Sequence, residues 1–142
     1  MRRIALVTGL AAVAAACVNT QATLLNPSLT LRPTCPEAVL MFTNPDRVGK
    51  PYVEVALLNS TGDNSMTTES GMHNSQRQKA AALGANGIIM GETRDAGQGA
   101  QVASAILGTP ANRRGRAVAI YIAEDSTRVR ETCTAAHPQS DR

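Results

Sequence analysis

The chain has 142 residues, enough for one small domain, and its 14 Lys and Arg against 11 Asp and Glu give a formal net charge of +3. Arg2 and Arg3 lie in an N-terminal segment that we expect to be removed, which leaves 12 basic and 11 acidic residues, a net charge of +1. No stripe of basic residues remains to bind phosphates, and only Phe42, Tyr52 and Tyr121 have aromatic rings that could stack on bases. We therefore expect no nucleic-acid partner.

The first sixteen residues have the layout of a secretory signal. Two arginines precede the uncharged stretch Ile4–Ala16, which is shorter than the about 20 residues of a transmembrane helix. The sequence Ala14-Ala15-Ala16-Cys17 resembles the lipobox of bacterial lipoproteins, with Ala14 where that family usually has Leu. The resemblance implies that residues 1–16 are cleaved and that the Cys17 thiol carries a diacylglycerol. The alternative is an ordinary signal peptide that is cut nearby.

A lipid anchor at Cys17 predicts where the protein resides. Several acyl chains on one anchor hold a protein stably, whereas one chain holds it marginally. Val18 stands where enteric lipoproteins retained in the inner membrane have Asp. We therefore expect membrane lipid as a partner through acylated Cys17, and a location in the cell envelope on the outer membrane, facing the periplasm.

The two remaining cysteines predict a disulfide. With Cys17 assigned to lipid, Cys35 and Cys133 form an even pair in an oxidising compartment. A bridge between them would close a loop worth roughly 4 to 5 kcal/mol in the chain-entropy model. The alternative is a pair of free or metal-binding thiols, but neither cysteine has a CxxC partner or a nearby His. We expect no metal and no cofactor.

The first part of the mature chain predicts a tether and two strands. Residues 17–36 are rich in Thr, Asn, Gln and Pro, which favours a flexible tether. The apolar run 38–43 predicts a buried strand, and 52–58 predicts a second one. On the second strand we expect the core face to consist of Val53, Val55 and Leu57.

The second part predicts two helices and two further strands. Apolar residues at three- and four-residue steps predict a main helix over about 67–83, with Gly84 as a left-handed cap. The apolar run 88–90 predicts the next strand. Residues 100–107 predict a short helix that packs on the sheet, and 115–123 predict the last strand.

Together these elements predict one α+β domain over residues 37–133. We expect a four-stranded, mostly antiparallel sheet with the main helix and the short second helix on one face. The disulfide favours an arrangement in which the first and last strands are antiparallel neighbours. Residues 125–142 are expected to be mostly irregular, with 134–142 as a disordered tail.

One segment resembles a known module. A strand at 52–58 is followed by Arg77-x-Lys79-Ala80-Ala81-Ala82-Leu83-Gly84-Ala85-Asn86-Gly87-Ile88-Ile89. This combination is similar to the α/β module shared by the Rcs stress-sensor lipoprotein and the YbjQ-like proteins, and it covers roughly residues 38–92. The sensor lipoprotein has two disulfides where only one is possible here. The resemblance implies a small envelope domain that works through protein contacts, and it supplies no catalytic residues.

Two groups of polar residues are candidate sites. Asn59, Ser60, Thr61 and Asp63 follow a predicted strand and precede a helix N-terminus, where backbone amides are able to hold an anion; the alternative is an ordinary turn and cap. Arg113, Arg114 and Arg116 precede the last strand and suit an acidic partner or lipid head groups; the alternative is a solvated turn.

Three functions fit these patterns. We favour a non-enzymatic envelope lipoprotein that binds or senses an envelope protein. The second is a small envelope hydrolase with a site drawn from Asp63, His73 and Glu92, although no triad or metal-protease pattern joins them. The third is self-assembly into a homo-oligomeric ring, as in YbjQ-like proteins.

Overall fold

The computed structural model describes residues 18–63, 66–108 and 111–138. The predicted signal (1–16), Cys17 and the last part of the predicted tail (139–142) lie outside the described residues. The helices and strands, in chain order, are β1 (Asn19–Leu24), β2 (Leu40–Phe42), β3 (Val53–Asp63), α1 (Glu69–Ala82), β4 (Gly87–Arg94), α2 (Gln98–Leu107), β5 (Asn112–Tyr121) and α3 (Ser126–Ala136). Short 3-10 turns lie at Pro36–Ala38, Pro45–Arg47 and Ala123–Asp125.

The strands form one five-stranded sheet in the order β1-β3-β5-β4-β2. The pairs β1–β3, β3–β5 and β5–β4 are antiparallel, and β4–β2 is parallel. The predicted α+β class and mostly antiparallel sheet are therefore confirmed. The predicted number of four strands is wrong, because β1 adds a fifth strand at the edge.

Strand β1 arises from a segment that the sequence predicts as tether. Its residues Asn-Thr-Gln-Ala-Thr-Leu pair along β3, from Asn19 opposite Thr61 to Leu24 opposite Ala56. An edge strand draws its stability from backbone hydrogen bonds and needs few apolar side chains, so composition alone does not reveal it. Thr20 Oγ1 also lies 2.9 Å from Ser60 Oγ and 2.7 Å from Ser75 Oγ on α1.

The rest of the predicted tether also packs on the domain. Leu29 and Leu31 contact the main core, and the Thr34 N–H donates to the Ala81 carbonyl at 2.9 Å. Gly84 has φ +80°, and a Cβ there would overlap Leu31 Cβ. The predictions of a flexible tether over 17–36 and of a domain beginning at 37 are therefore wrong from Asn19 onward.

Helix α1 confirms the main predicted helix within two residues at its start and one at its end. Thr68 caps its N-terminus by accepting a hydrogen bond from the Gly71 N–H, and Gly84 follows its C-terminus in the predicted left-handed conformation. Its buried residues are Met72, Gln76, Ala80 and Ala81.

The main core lies between α1 and one face of the sheet, where Leu58, Ile88, Ala117 and Ala119 are buried. A bulge between Glu54 and Ala56 shifts the register of β3, so Leu58 is fully buried while Val53 is 43% exposed. The predicted core face of β3 is therefore wrong at both ends. A second cluster on the sheet consists of Val48, Ile89, Ile120 and Ile122, packed by Phe42, Tyr52 and Val118.

Asn86, the residue of the resembling module that follows Gly84-Ala85, is a buried connector. Its Nδ2 donates to the Ile122 carbonyl and its Oδ1 accepts from the Ile122 N–H, both at 2.8 Å. The Leu40 N–H donates to the Asn86 carbonyl at 3.1 Å. The side-chain amide of Asn86 thus joins the turn after α1 to the exit of β5, and its backbone carbonyl joins the same turn to the entry of β2.

The predicted disulfide between Cys35 and Cys133 is confirmed, with the two Cα atoms 5.6 Å apart. Cys133 lies on α3, where the sequence predicts irregular structure, and α3 includes residues 134–136 of the predicted disordered tail. Both predictions are wrong because residues 126–136 form a helix against the 3-10 turn Pro36–Ala38. The sequence predicts that the first and last predicted strands, β2 and β5 in the structure, are neighbours. They are not neighbours, because β2 pairs with β4, and α3 carries Cys133 back to Cys35.

Helix α2 forms where a short second helix is predicted, but it does not pack on the sheet. None of its residues is buried, and Val102, Ile106 and Leu107 are all more than half exposed. Its left-handed cap is Gly108, with φ +66°. The expected packing of both helices on one face is therefore wrong for α2.

Candidate interaction surface

Strand pairing brings parts of the two predicted polar groups together. Asn59 on β3 lies opposite Arg116 on β5, and Thr61 lies opposite Arg114. Because alternate residues of a strand point to opposite faces, these four side chains share one face of the sheet. Ser60 and Gly115, which alternate with them, lie on the face covered by α1, against Thr20 and Gln76 respectively.

An open cleft of about 630 Å³ lies on this uncovered face, beside α2. Its charged lining comes from the last part of β4, the residue after β4, and the first part of β5, and α2 contributes two alanines. The charged residues are Glu92, Arg94, Asp95, Arg114 and Arg116, and the α2 residues are Ala100 and Ala103. Guanidinium groups therefore outnumber carboxylates in the cleft.

The carboxylates of the cleft are held by arginines. Glu92 Oε2 accepts from Arg94 Nη2 at 2.7 Å, and this hydrogen bond, the Arg94 charge and the charge of Arg116 hold the pKa of Glu92 below its usual range. Asp95 Oδ1 accepts from Arg113 Nε at 2.5 Å. Glu92 is thus an ionised carboxylate near neutral pH, unlike a general acid or base whose pKa lies near the working pH.

A second groove adjoins the cleft and shares Asn112 with it. It is lined by amide and hydroxyl side chains of β1 and β3, among them Asn19, Gln21, Asn59 and Thr61. The two grooves form one polar surface across four strands. We call this the arginine–amide surface, and define it by Gln21, Asn59, Thr61, Arg94, Asn112, Arg114 and Arg116.

Three predictions about the candidate residues require correction. Asn59 to Asp63 belong to β3 and do not form a loop before a helix. Ser60 is buried and hydrogen-bonded to Thr20, so it does not reach a ligand on the uncovered face. Arg113 points away from Arg114 and Arg116: its Nη1 donates to the Thr67 carbonyl at 3.0 Å, and its Nε pairs with Asp95.

The residues of the hydrolase alternative are not assembled into one site. His73 lies on α1, where Nδ1 is 3.5 Å from Gln76 Oε1 and Nε2 is 3.5 Å from Glu69 Oε1. Glu92 lines the cleft on the other face of the sheet. Asp63 lines the adjoining groove. The sheet therefore separates His73 from the two carboxylates.

Sequence reasoning missed Arg94 and Asn112 as members of a binding surface. The strand register places Arg94 opposite Arg114, and Asn112 lines both grooves. It also missed a charged cluster elsewhere. Asp125 is buried, and its carboxylate accepts from Lys50 Nζ at 2.5 Å and from Arg128 Nε at 3.1 Å. Because Arg128 Nη1 also donates to the Ala38 carbonyl, this cluster holds α3 on the domain.

Two negative findings apply to residues 18–63, 66–108 and 111–138. No helix in these ranges is long and apolar enough to cross a membrane. No group of three or more His, Cys, Asp and Glu side chains there is placed to hold a metal ion.

Comparison with known proteins indicates the fold alone. No protein-family model and no curated protein matches the chain. Among solved structures, the chain is similar to the Francisella virulence factor FvfA in its orthorhombic crystal form, with a TM-score of 0.50 and 13% identity. The match covers 72% of this chain and 96% of that chain. Because the sequence identity is this low, the similarity indicates a shared small α+β fold and nothing further.

Proposed function

We propose that this chain is an envelope lipoprotein, anchored through Cys17, whose domain binds an acidic envelope protein without catalysing a reaction. The lipobox at Ala14–Cys17 supports the anchor. The Cys35–Cys133 disulfide supports an oxidising compartment, since such bonds persist outside the cytosol. A stress-sensing role would use the same binding step.

The observation that carries the proposal is the pairing of β3 with β5, which places Arg114 and Arg116 beside Thr61 and Asn59 on an uncovered face. Arginine forks bind carboxylates through two parallel hydrogen bonds, which are stronger than bonds between neutral groups. The neighbouring amides add donors and acceptors for a partner's backbone. This combination suits a protein segment that carries Asp or Glu.

The shape of the surface favours a macromolecule over a small substrate. Small-molecule sites are usually concave and bury most of their ligand. The cleft here is open, and its polar lining continues into the groove of β1 and β3. A partner is thus able to extend over several strands and contact both grooves.

Crosslinking in the native envelope tests the proposal. A photo-crosslinking amino acid replaces Asn112, which is exposed and lines both grooves, or Glu131, an exposed residue of α3 that serves as control. We expect one dominant envelope protein to be captured from position 112 and not from 131. Mass spectrometry identifies the product, and the Arg114→Gln/Arg116→Gln variant should strongly reduce its yield.

Three results would refute this function. Equal products from positions 112 and 131 would mean that the arginine–amide surface is not the binding face. A product that contains two copies of this chain would favour the homo-oligomeric ring. Turnover of a generic ester or peptide by purified protein, lost on replacement of Asp63 or Glu92, would favour the hydrolase.

A further inference from the structure

The most exposed large apolar side chains among the described residues are concentrated in two connections. They are Met66 (69%), Val102 (58%), Ile106 (75%) and Leu107 (70%). Met66 lies in the connection from β3 to α1, and the other three lie on α2, between β4 and β5. Singly exposed apolar residues are common on protein surfaces, but four with this degree of exposure on adjoining connections require an explanation.

Both connections leave the sheet at the same end. The register places Asn19, Thr61, Arg114 and Arg94 in one row across β1, β3, β5 and β4. This row lies near the last residue of β3 and at the last residue of β4, which are the points where the two connections begin. The exposed apolar residues therefore belong to the end of the sheet that Asn19 marks.

The chain enters the domain at this same end. Val18 precedes β1, and its carbonyl oxygen lies 3.5 Å from Ser75 Oγ on α1. Cys17 comes directly before Val18 in the sequence, and two residues of chain span at most about 7 Å at 3.3 to 3.6 Å per residue. The described chain is therefore a β-strand from the second residue after the proposed anchor.

We infer that this end of the domain rests on the lipid bilayer that holds Cys17, with the Val102 and Ile106 side of α2 inserted at the boundary of head groups and acyl chains. The inference rests on the proposed lipid anchor. Val102 and Ile106 are four residues apart and thus lie on one side of the helix. Ala100 and Ala103, which line the cleft, lie on another side of the helix, so the Val102 and Ile106 side is not part of the cleft.

The composition of α2 determines the kind of contact. Its ten residues, Gln98 to Leu107, include no charged side chain. Binding through this helix is therefore driven by burial of apolar area, and salt should not weaken it. Binding of an acidic partner through Arg114 and Arg116 should instead weaken as salt rises.

A tryptophan reporter tests the inference, because the natural chain contains no Trp. The Ile106→Trp variant of the acylated mature protein, residues 17–142, is reconstituted in vesicles of phosphatidylethanolamine and phosphatidylglycerol. Val53→Trp is the matched control, since Val53 is also exposed but lies eight residues from Thr61 along β3, roughly 26 Å away. We expect Trp fluorescence in the Ile106→Trp variant to be blue-shifted and to be quenched at least twofold by brominated lipids, in low and in high salt. We expect no quenching of Trp fluorescence in the Val53→Trp control.

The outcomes separate this inference from the proposed function. Acylated Cys17 by intact mass, together with an unquenched Trp at 106, would leave the anchor in place and overturn the bilayer contact. Equal quenching at 106 and 53 would overturn it too, since the domain would then have no preferred orientation. Blue-shifted emission before vesicles are added would mean that a second copy covers α2. An unmodified Cys17 would overturn the anchor, and this inference with it.

Discussion

Thr61 and Arg114 lie directly opposite each other on β3 and β5, although 52 residues lie between them in the chain. This pairing joins two groups of residues that the sequence presents as independent candidates. It also places one row of the sheet, from Asn19 to Arg94, at the end where the chain enters.

Replacing Arg114 and Arg116 together by Gln should weaken partner binding by about tenfold or more, because a charge-assisted hydrogen bond contributes about 1.5 to 3 kcal/mol. Both side chains are exposed, so folding should be unaffected. Pull-down of the captured partner at rising salt measures the loss. The Arg130→Gln variant on α3 is the control, and a comparable loss from it would mean that overall charge, rather than this surface, drives binding.

Gly84→Ala should lower the free energy of unfolding by about 3 kcal/mol or more. The left-handed backbone costs an alanine about 1 to 2 kcal/mol, and the new Cβ would also overlap Leu31 and the Arg32 carbonyl. Gly49→Ala is a matched control, since Gly49 has φ +64° and open space around it. Urea unfolding of both variants measures the difference. Equal losses would show that residues 31 and 32 do not pack on Gly84.

The buried Asp125 should make stability depend on pH. Its hydrogen bond to Lys50, followed by its contacts with Arg128, holds its pKa below the usual value, against the opposing effect of burial. A carboxylate with a lowered folded-state pKa contributes stability above its unfolded pKa of about 3.9. That contribution is lost as pH falls through the folded-state pKa.

Asp125→Asn should therefore cost about 1 to 3 kcal/mol at neutral pH and much less in strong acid. Denaturant unfolding between neutral pH and acid measures both values. Glu124→Gln, an exposed neighbour in the same 3-10 turn, should change little at any pH. A constant difference between wild type and Asp125→Asn across this range would contradict the assigned role of the ionised carboxylate.

Reducing the Cys35–Cys133 bridge should destabilise the domain by roughly 4 to 5 kcal/mol in the chain-entropy model. Helix α3 should lose amide protection first, because the bridge and the Asp125 cluster fasten it to the 3-10 turn at Pro36. Hydrogen exchange of the Cys35→Ser/Cys133→Ser variant checks this order. Protection lost first from α1, with α3 still protected, would contradict it.

Local signals in the sequence predicted the fold where they were strong. The spacing of apolar residues and Gly84 located α1 and its cap, and the count of cysteines predicted the bridge. Strand β1 was not predictable in the same way, because its polar residues are ordered by backbone pairing with a distant strand. The bulge at Glu54 likewise changes which β3 residues are buried without a clear sequence signal.

The sequence identified several residues of the arginine–amide surface, but it did not predict how they are arranged. Arg114, Arg116, Asn59 and Thr61 stand out by residue type. Their meeting on one face depends on the β3–β5 register, and the exclusion of Ser60 and Arg113 follows from strand alternation. Register is set by the pairing of two distant strands, so neighbouring residues in the sequence do not reveal which side chains share a face.

Both proposals depend on the chemical state of Cys17, which intact mass spectrometry of protein extracted from the membrane fraction measures directly. We expect a chain that begins at Cys17 and carries the mass of a diacylglycerol, with a further acyl chain on its amino group. A chain that retains residues 1–16, that begins at another residue, or that has an unmodified Cys17 would contradict the account.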